Sequence, residues 1–448
     1  MTKLDKSLFP EDVFSEKNEE QEVLFTMFTD WQEGMKELQT LTPSDDRYQE
    51  LTEQLEFLKS RLLEAMFLRE IPFPWANGGM AIDISTGKCA GAVMNAGGIG
   101  VTTGTLCGPN QSQETINNSE IKFDERVNIV QNANKTEAVR QVEIAREKSP
   151  FGILGVNVMH ALPDFEAVVR AICDTKKIDI LYVGAGIPKN LPKIMADYPD
   201  VKFITIVSEE NLPKFMEKIG KKEGSREADG YYFEISKFAG GHKGRQDENR
   251  SPKEILEQIR LVIGEEKPVL MGGGVMYGSD ILEAFKSGID GVIMGLRTLL
   301  TQKSNAPDEI LKEFYLDPEK TKTATVRTSP TGLTSCINIA NQEEFDAERK
   351  NIEKYIRSRC VSCINHKRCQ FFTKKNPESY CIGHHLSAFS RGARWSLMFA
   401  SNRLEEILTD SLYTKNGERY IPTIPELVAY IQKTVEHGTT WNPEKKGA

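Results

Sequence analysis

The sequence predicts an α/β protein, a (β/α)8 TIM barrel with an N-terminal helical extension and a C-terminal Cys-containing helical region. Three observations carry that expectation. Eight short apolar or β-branched runs recur along the chain, most of them followed by a helix-like segment. The runs are apolar on consecutive positions, as strands covered on both faces of a parallel sheet are. Glycines stand at the C-terminal ends of several runs, the face on which a barrel binds its ligand. Eight such units fit a closed barrel better than an open doubly wound sheet.

The runs lie at residues 71–81, 97–102, 153–158, 178–184, 203–208, 230–236, 268–272 and 291–295. Residues 162–173, 252–263 and 279–285 between them carry apolar side chains at helical spacing, opened by a cap-like Ser, Asp or Pro. Residues 1–70 are expected as a charged helical extension. Within it Leu51, Leu55, Leu58, Leu62 and Leu63 form one apolar stripe, expected as packing surface, with a partner-helix or dimer contact as the alternative. The barrel is expected over 71–325. After linker-like stretches at 304–308 and 316–320 a C-terminal region follows over 326–448. It ends on a helix introduced by Thr423 and Ile424, with Pro425 suited to the first turn.

Composition narrows the function. The formal charge of -8, from 57 basic and 65 acidic residues, offers no basic surface for nucleic acid or an anionic membrane. No apolar stretch reaches the roughly 18 residues of a membrane helix, and residues 1–5 have no secretory character. The expectation is a cytoplasmic protein acting on a small-molecule substrate, with neither nucleic acid nor membrane as partner. Homo-oligomerisation is left open.

The chemistry concentrates at the ends of three runs. Gly240 and Gly241 precede His242 just beyond the sixth; two missing β-carbons let a flat ligand approach the backbone beside the imidazole. Histidine suits proton transfer near neutral pH. An exposed turn histidine is the plainer alternative, and the position after a strand of a repeated pattern favours the barrel mouth. Gly272, Gly273 and Gly274 end the seventh run, and Gly295, Leu296 and Arg297 the eighth. Loops after strands seven and eight are the usual phosphate site of this fold.

These residues stand in a recognisable order. Asn77, Gly78, Gly79 and Met80 come with Asp83, Ile84 and Ser85, then residues 95–100 and 155–158. Gly184, Ala185 and Gly186 follow, then Ile206, Val207 and Ser208, then residues 239–242, 272–274 and 290–295. Over roughly residues 71–335 the chain resembles the nitronate monooxygenase (2-nitropropane dioxygenase-like) family of FMN-dependent TIM-barrel oxidoreductases, FMN barrels that include the flavin-type enoyl-acyl-carrier-protein reductases.

The resemblance implies FMN, with Gly79 and Met80 along the flavin ring and Asn157 hydrogen-bonding its edge. Gly273, Gly274, Gly295 and Leu296 would hold the phosphate through main-chain amides, and Asn77, Gly184, Ser208, Gly240 and Gly241 belong to the cofactor-binding motifs. His242 would be the catalytic base, taking the α-proton while the flavin accepts electrons. The family usually has threonine at Leu296 and often glutamine at Asn77; neither change removes a backbone donor. The implied activity is oxidation of alkyl nitronates or nitroalkanes. An NAD(P)H-dependent flavin reductase of the enoyl-acyl-carrier-protein reductase type and a flavin-free scaffold with a metal-binding interaction tail are the alternatives.

The tail holds a second signal. Cys360, Cys363, Cys369 and Cys381 follow a C-x2-C-x5-C-x11-C spacing, with His366, His384 and His385 nearby. The pattern admits a [4Fe-4S] cluster, a tetrahedral zinc or metal-free thiols, and a disulfide framework is not expected. Cys89, Cys107, Cys173 and Cys336 are isolated and expected as buried or ordinary free thiols. Residues 104–126 are long for a barrel connection, long enough that the stretch could fold over the flavin as a lid. The charged stretch 243–250 is a solvated loop or a clamp on an anionic group, and His160 is a candidate pocket residue.

Overall fold

Eight strands form one all-parallel sheet: β1 (Ala76–Asn77), β2 (Gly100–Thr103), β3 (Leu154–Met159), β4 (Ile180–Gly184), β5 (Lys202–Val207), β6 (Gly230–Glu234), β7 (Val269–Gly272) and β8 (Gly291–Met294). Their order is β1-β8-β7-β6-β5-β4-β3-β2. The computed structural model describes residues 19–208, 211–241, 250–321, 323–326 and 329–437. A parallel bridge between Ala76 and Ile99 joins the two edge strands. The Asn77 side chain completes the seam: its Nδ2 donates to the Val101 carbonyl and its Oδ1 accepts from the Val101 N–H, both at 2.7 Å. A side-chain amide thus takes the place of a peptide group, and the ring is a TIM barrel. β1 is shorter than the run that contains it because Pro72 and Pro74 have no N–H to give a ladder.

Alternation along each strand explains the two-sided apolar character. Tyr182, Ile204, Tyr232, Leu270 and Ile293 fill the ring's interior, while Leu181, Val183, Phe203, Tyr231, Phe233 and Met271 pack outward under the helices. The helix Pro252–Ile263 coincides with its sequence pattern. Ser251 Oγ accepts from the Glu254 N–H at 3.3 Å, Glu254 accepts from the Ser251 N–H at 2.7 Å, and Ile255, Leu256 and Ile259 are buried.

Helices α1 (Glu19–Leu38) and α2 (Asp46–Phe67) close the N-terminal end of the barrel. Leu51, Leu55, Leu58 and Leu62 pack with Leu24, Phe28, Trp31 and Met35 in one cluster continuous with Ile153, Ile180 and Tyr182 of the ring. The leucine stripe is therefore packing surface within the chain. Trp31 is fully buried, and its indole N–H donates to the Phe151 carbonyl at 3.0 Å. Three aspartates repeat one arrangement here, each just before a strand. Asp179, Asp229 and Asp290 accept from the N–H groups of Leu154, Phe203 and Val269 at 2.7 to 2.8 Å. They pair with Arg146, Arg226 and Arg260 at 2.6, 2.7 and 2.8 Å.

The C-terminal region covers the opposite end. It contains the helices Gln342–Arg359, Ile382–Ser390 and Ile424–His437. It also contains an antiparallel sheet of β9 (Thr323–Val326), β10 (Ser335–Asn338) and β11 (Met398–Phe399), so the region is not purely helical. Strands of two to four residues are too short to show a period. The Cys336 N–H donates to the Gly240 carbonyl at 2.7 Å, and Tyr315 donates its hydroxyl to the Phe399 carbonyl at 2.8 Å. A buried ion pair, Arg297 to Asp410 at 2.5 Å, ties the region to the loop after β8. Residues 104–126 form two short helices, Gly108–Gln111 and Gln113–Asn117, and then enter a third. Asn110 bonds Ser387, Ser390 and Asp83, so this segment braces the C-terminal region, and it reaches the cavities at the mouth only through Thr105 and Leu106. Among the described residues no helix is long and apolar enough to cross a membrane.

Candidate active site

The C-terminal ends of the strands enclose a cavity of about 260 Å³. Loops after β1, β7 and β8 contribute Gly79 and Met80, Gly273 and Gly274, and Gly295 and Leu296. Asn77 comes from β1, Asn157 from β3, and Gly240 and Gly241 from the turn after β6. Residues expected from five parts of the sequence thus share one site. Gly184 and Ser208 line a wider adjoining cavity of about 710 Å³, which shares the walls Gly79, Asn157, Ile206, Glu234, Gly241 and Phe399. His242 and residues 243–249 lie outside the described residues.

The glycines differ in what they permit. Gly273 and Gly274 have φ of +84° and +87°, and a β-carbon at either would meet the Ile235 carbonyl or the Phe238 ring at 2.8 Å, so only glycine makes this turn. At Gly79 a β-carbon would stand 2.3 Å from that of Asn157. Gly295 is the opposite case: its φ is ordinary and nothing lies within 4 Å of where a β-carbon would be. The backbone there is bare toward the cavity, as a surface approached by a ligand is. Asn77 lines the cavity, but its amide is committed to Val101 and Gly78. The buried Tyr182 hydroxyl on the same wall has no hydrogen-bond partner among the described residues. Val101, Ile206, Ile293 and Leu299 make the remaining walls apolar.

Several site residues carry no local signal in the sequence. Glu234, the last residue of β6, lines both cavities and accepts a hydrogen bond on Oε1 from the Tyr232 hydroxyl at 2.9 Å. Burial pushes its carboxyl above the ordinary range, although the Tyr232 contact pulls the other way. A carboxyl so placed can hold and give up a proton. Leu386, Met398, Phe399, Ala400 and Ser401 form a roof from the C-terminal region, with the Phe399 ring 3.0 Å from where a Gly241 β-carbon would be. Arg403 fastens the roof, donating to the Gly274 carbonyl and pairing with Asp280 at 2.9 Å.

The remaining candidates lie to one side. His160 borders a further open cavity with Gly186 and Lys189, its ring edge-on to Phe165, and burial lowers its pKa. The four tail cysteines do come together, around a small cavity of about 50 Å³. Among the described residues no three His, Cys, Asp or Glu side chains close around a point as ligands of one metal ion. Cys89, Cys107, Cys173 and Cys336 are buried, and the Cys336 thiol donates to Asn402 Oδ1 at 3.1 Å.

A family model described as nitronate monooxygenase matches residues 63–337, more than half of the chain. A probable nitronate monooxygenase of Staphylococcus aureus (strain JH9) is 31% identical over 123 residues, 26% of this chain and 34% of that protein. The match therefore spans about a third of the curated relatives' length. Among solved structures, FabK from Thermotoga maritima superimposes with a TM-score of 0.56 at 18% identity, over 84% of this chain and 96% of that one. A nitroalkane oxidase from Streptomyces ansochromogenes gives 0.53 at 16% identity, over 84% and 99%. At such identities these two likenesses concern the fold.

Proposed function

The chain belongs to the nitronate monooxygenase family, and from that premise we propose that it is an FMN-dependent oxidoreductase that oxidises alkyl nitronates or nitroalkanes. The observation that carries the reading is the convergence of Gly79, Gly240, Gly241, Gly273, Gly274 and Gly295 on one cavity at the barrel mouth. The bare backbone at Gly295 and the apolar walls fit a flat ring with a phosphate tail.

When bound, FMN supplies the redox chemistry, accepting electrons from the substrate and passing them to oxygen or another acceptor. The chain's residues do the rest. Gly273, Gly274, Gly295 and Leu296 hold the phosphate by main-chain groups, and Gly79, Met80 and Asn157 position the ring. His242, directly after Gly241, takes the α-proton. Glu234, half-buried where the two cavities meet and raised in pKa by its surroundings, is a second group able to exchange a proton there. Leu386, Met398 and Phe399 keep bulk water from the mouth.

Two measurements test this. The purified protein should show flavin absorption at about 370 and 450 nm, and an alkyl nitronate mixed without oxygen should bleach it. Gly295→Leu, whose side chain would enter the cavity, should fold normally yet retain less than about a tenth of the flavin. A protein without flavin bands would leave only the scaffold reading. The second reading, an NAD(P)H-dependent enoyl thioester reductase, draws on the wide cavity, whose walls Leu106, Met159, Leu212, Phe215 and Leu333 would accept an acyl chain. Bleaching by NADPH and reoxidation by a crotonyl thioester, with no response to nitronate, would select it.

A further inference from the structure

We propose that Cys360, Cys363, Cys369 and Cys381 bind a [4Fe-4S] cluster at the edge of the wide cavity beside the barrel mouth. The fold delivers these thiols from separate pieces of chain. Cys360 follows the helix Gln342–Arg359, Cys363 sits in the next turn, Cys369 precedes Gln370–Thr373, and Cys381 precedes Ile382–Ser390. All four line the same small cavity, whose other walls include Ile352, Ile356, Ile364, Phe372 and Ile382. None is in a disulfide.

Main-chain donors reach Cys360 and Cys369. The Ser362 N–H donates to Cys360 Sγ at 3.4 Å and the Phe372 N–H to Cys369 Sγ at 3.5 Å. Peptide donors to sulfur are how proteins stabilise and tune cluster-bound thiolates.

The arrangement favours a cluster over one ion. Paired C-x2-C knuckles are the commoner pattern of structural zinc, whereas one C-x2-C followed by spread-out cysteines is commoner around a cubane. Here all four cysteines line one void of about 50 Å³. The two histidines that line this cavity have other engagements: His384 Nε2 lies 2.9 Å from Glu348 and its ring stacks on Trp395, while His366 meets Phe123 and Phe372 edge-on; His385 is not among the lining residues. That leaves an all-thiolate ligand set, with one C-x2-C pair and two dispersed cysteines. Cys363, Ile364 and Ile382 also line the wide cavity, which places the cluster in the wall of the mouth.

The test is iron and acid-labile sulfide analysis of the full-length protein purified without oxygen and reconstituted with ferrous iron and sulfide. About four irons and four sulfides per chain are expected, with a low-temperature paramagnetic signal after dithionite reduction. Cys363→Ser and Cys381→Ser should lose most of the iron, while Cys173→Ser, at an isolated buried thiol, keeps it. Where a tail variant does not fold, the metal content of the unmutated protein decides. About one zinc and no iron after reconstitution would overturn the proposal, as would iron undiminished in the folded Cys363→Ser/Cys381→Ser double variant.

Discussion

The two ends of the barrel are made by the same eight strands and are finished in opposite ways. At the N-terminal end each of three aspartates has a peptide N–H and an arginine, and α1 and α2 seal the ring with Trp31 and a row of leucines. At the C-terminal end glycines bare the backbone, the Tyr182 hydroxyl is unmatched among the described residues, and Glu234 is half-buried and hydrogen-bonded to Tyr232. The lower end spends its polar groups on stability; the upper end keeps them for a ligand. The same contrast separates two carboxyls. Burial would raise Asp179, but Arg146 and Lys59 hold it below the usual range, whereas burial lifts Asp83, beside the mouth, to about 7.

The sharpest way to break this division is His242→Ala. Turnover of an alkyl nitronate should fall by roughly 10² to 10⁴ with flavin content and thermal midpoint unchanged. Undiminished turnover would move proton transfer to another group, Glu234 first. Trp31→Ala is the complementary change: it should cost about 3 to 5 kcal/mol in a denaturant titration while flavin bound per folded chain stays the same. Lost flavin affinity in the folded variant would mean that the two ends are coupled.

Asp83 tests the contrast through pH. Its pKa rises from 3.8 to about 7 on folding, so between those values the native state holds a proton that the unfolded chain has released. Stability therefore declines as pH rises through that window. Asp83→Asn should remove the decline and leave the variant more stable above pH 7 by a few kcal/mol, read from unfolding midpoints at a series of pH values. Asp179 has the reverse sign, contributing stability that is lost as pH falls through its depressed pKa. The smallest effect belongs to Lys59→Met, which removes one of the two cations on Asp179 at a cost of about 1 kcal/mol or less. A larger loss would show the lower end depending on single ion pairs.

How much of this was legible depended on whether the signal was local. The helix Pro252–Ile263 announces itself through Ser251, Pro252 and its apolar spacing, and the glycine runs mark the cavity because a turn at φ near +85° admits little else. The apolar run 71–81 yields a strand only at Ala76–Asn77, because Pro72 and Pro74 within it have no N–H for a ladder. Asn77 belonged to the right place, but its amide serves the ring's seam, a use that only the neighbouring strand reveals. Glu234 gave no hint, since a glutamate in an apolar run becomes informative once burial is known. Leu386, Met398 and Phe399 reach the mouth only through the tertiary fold, and ordinary apolar residues carry no label for that.

The roof has a consequence in time. Synthesis proceeds from the amino end, so all eight strands leave the ribosome about a hundred residues ahead of Phe399. At roughly 5 to 20 residues per second the nascent bowl stands uncovered for on the order of 5 to 20 s. A chain released before Met398 would keep every strand and every glycine of the bowl and still leave it open to water.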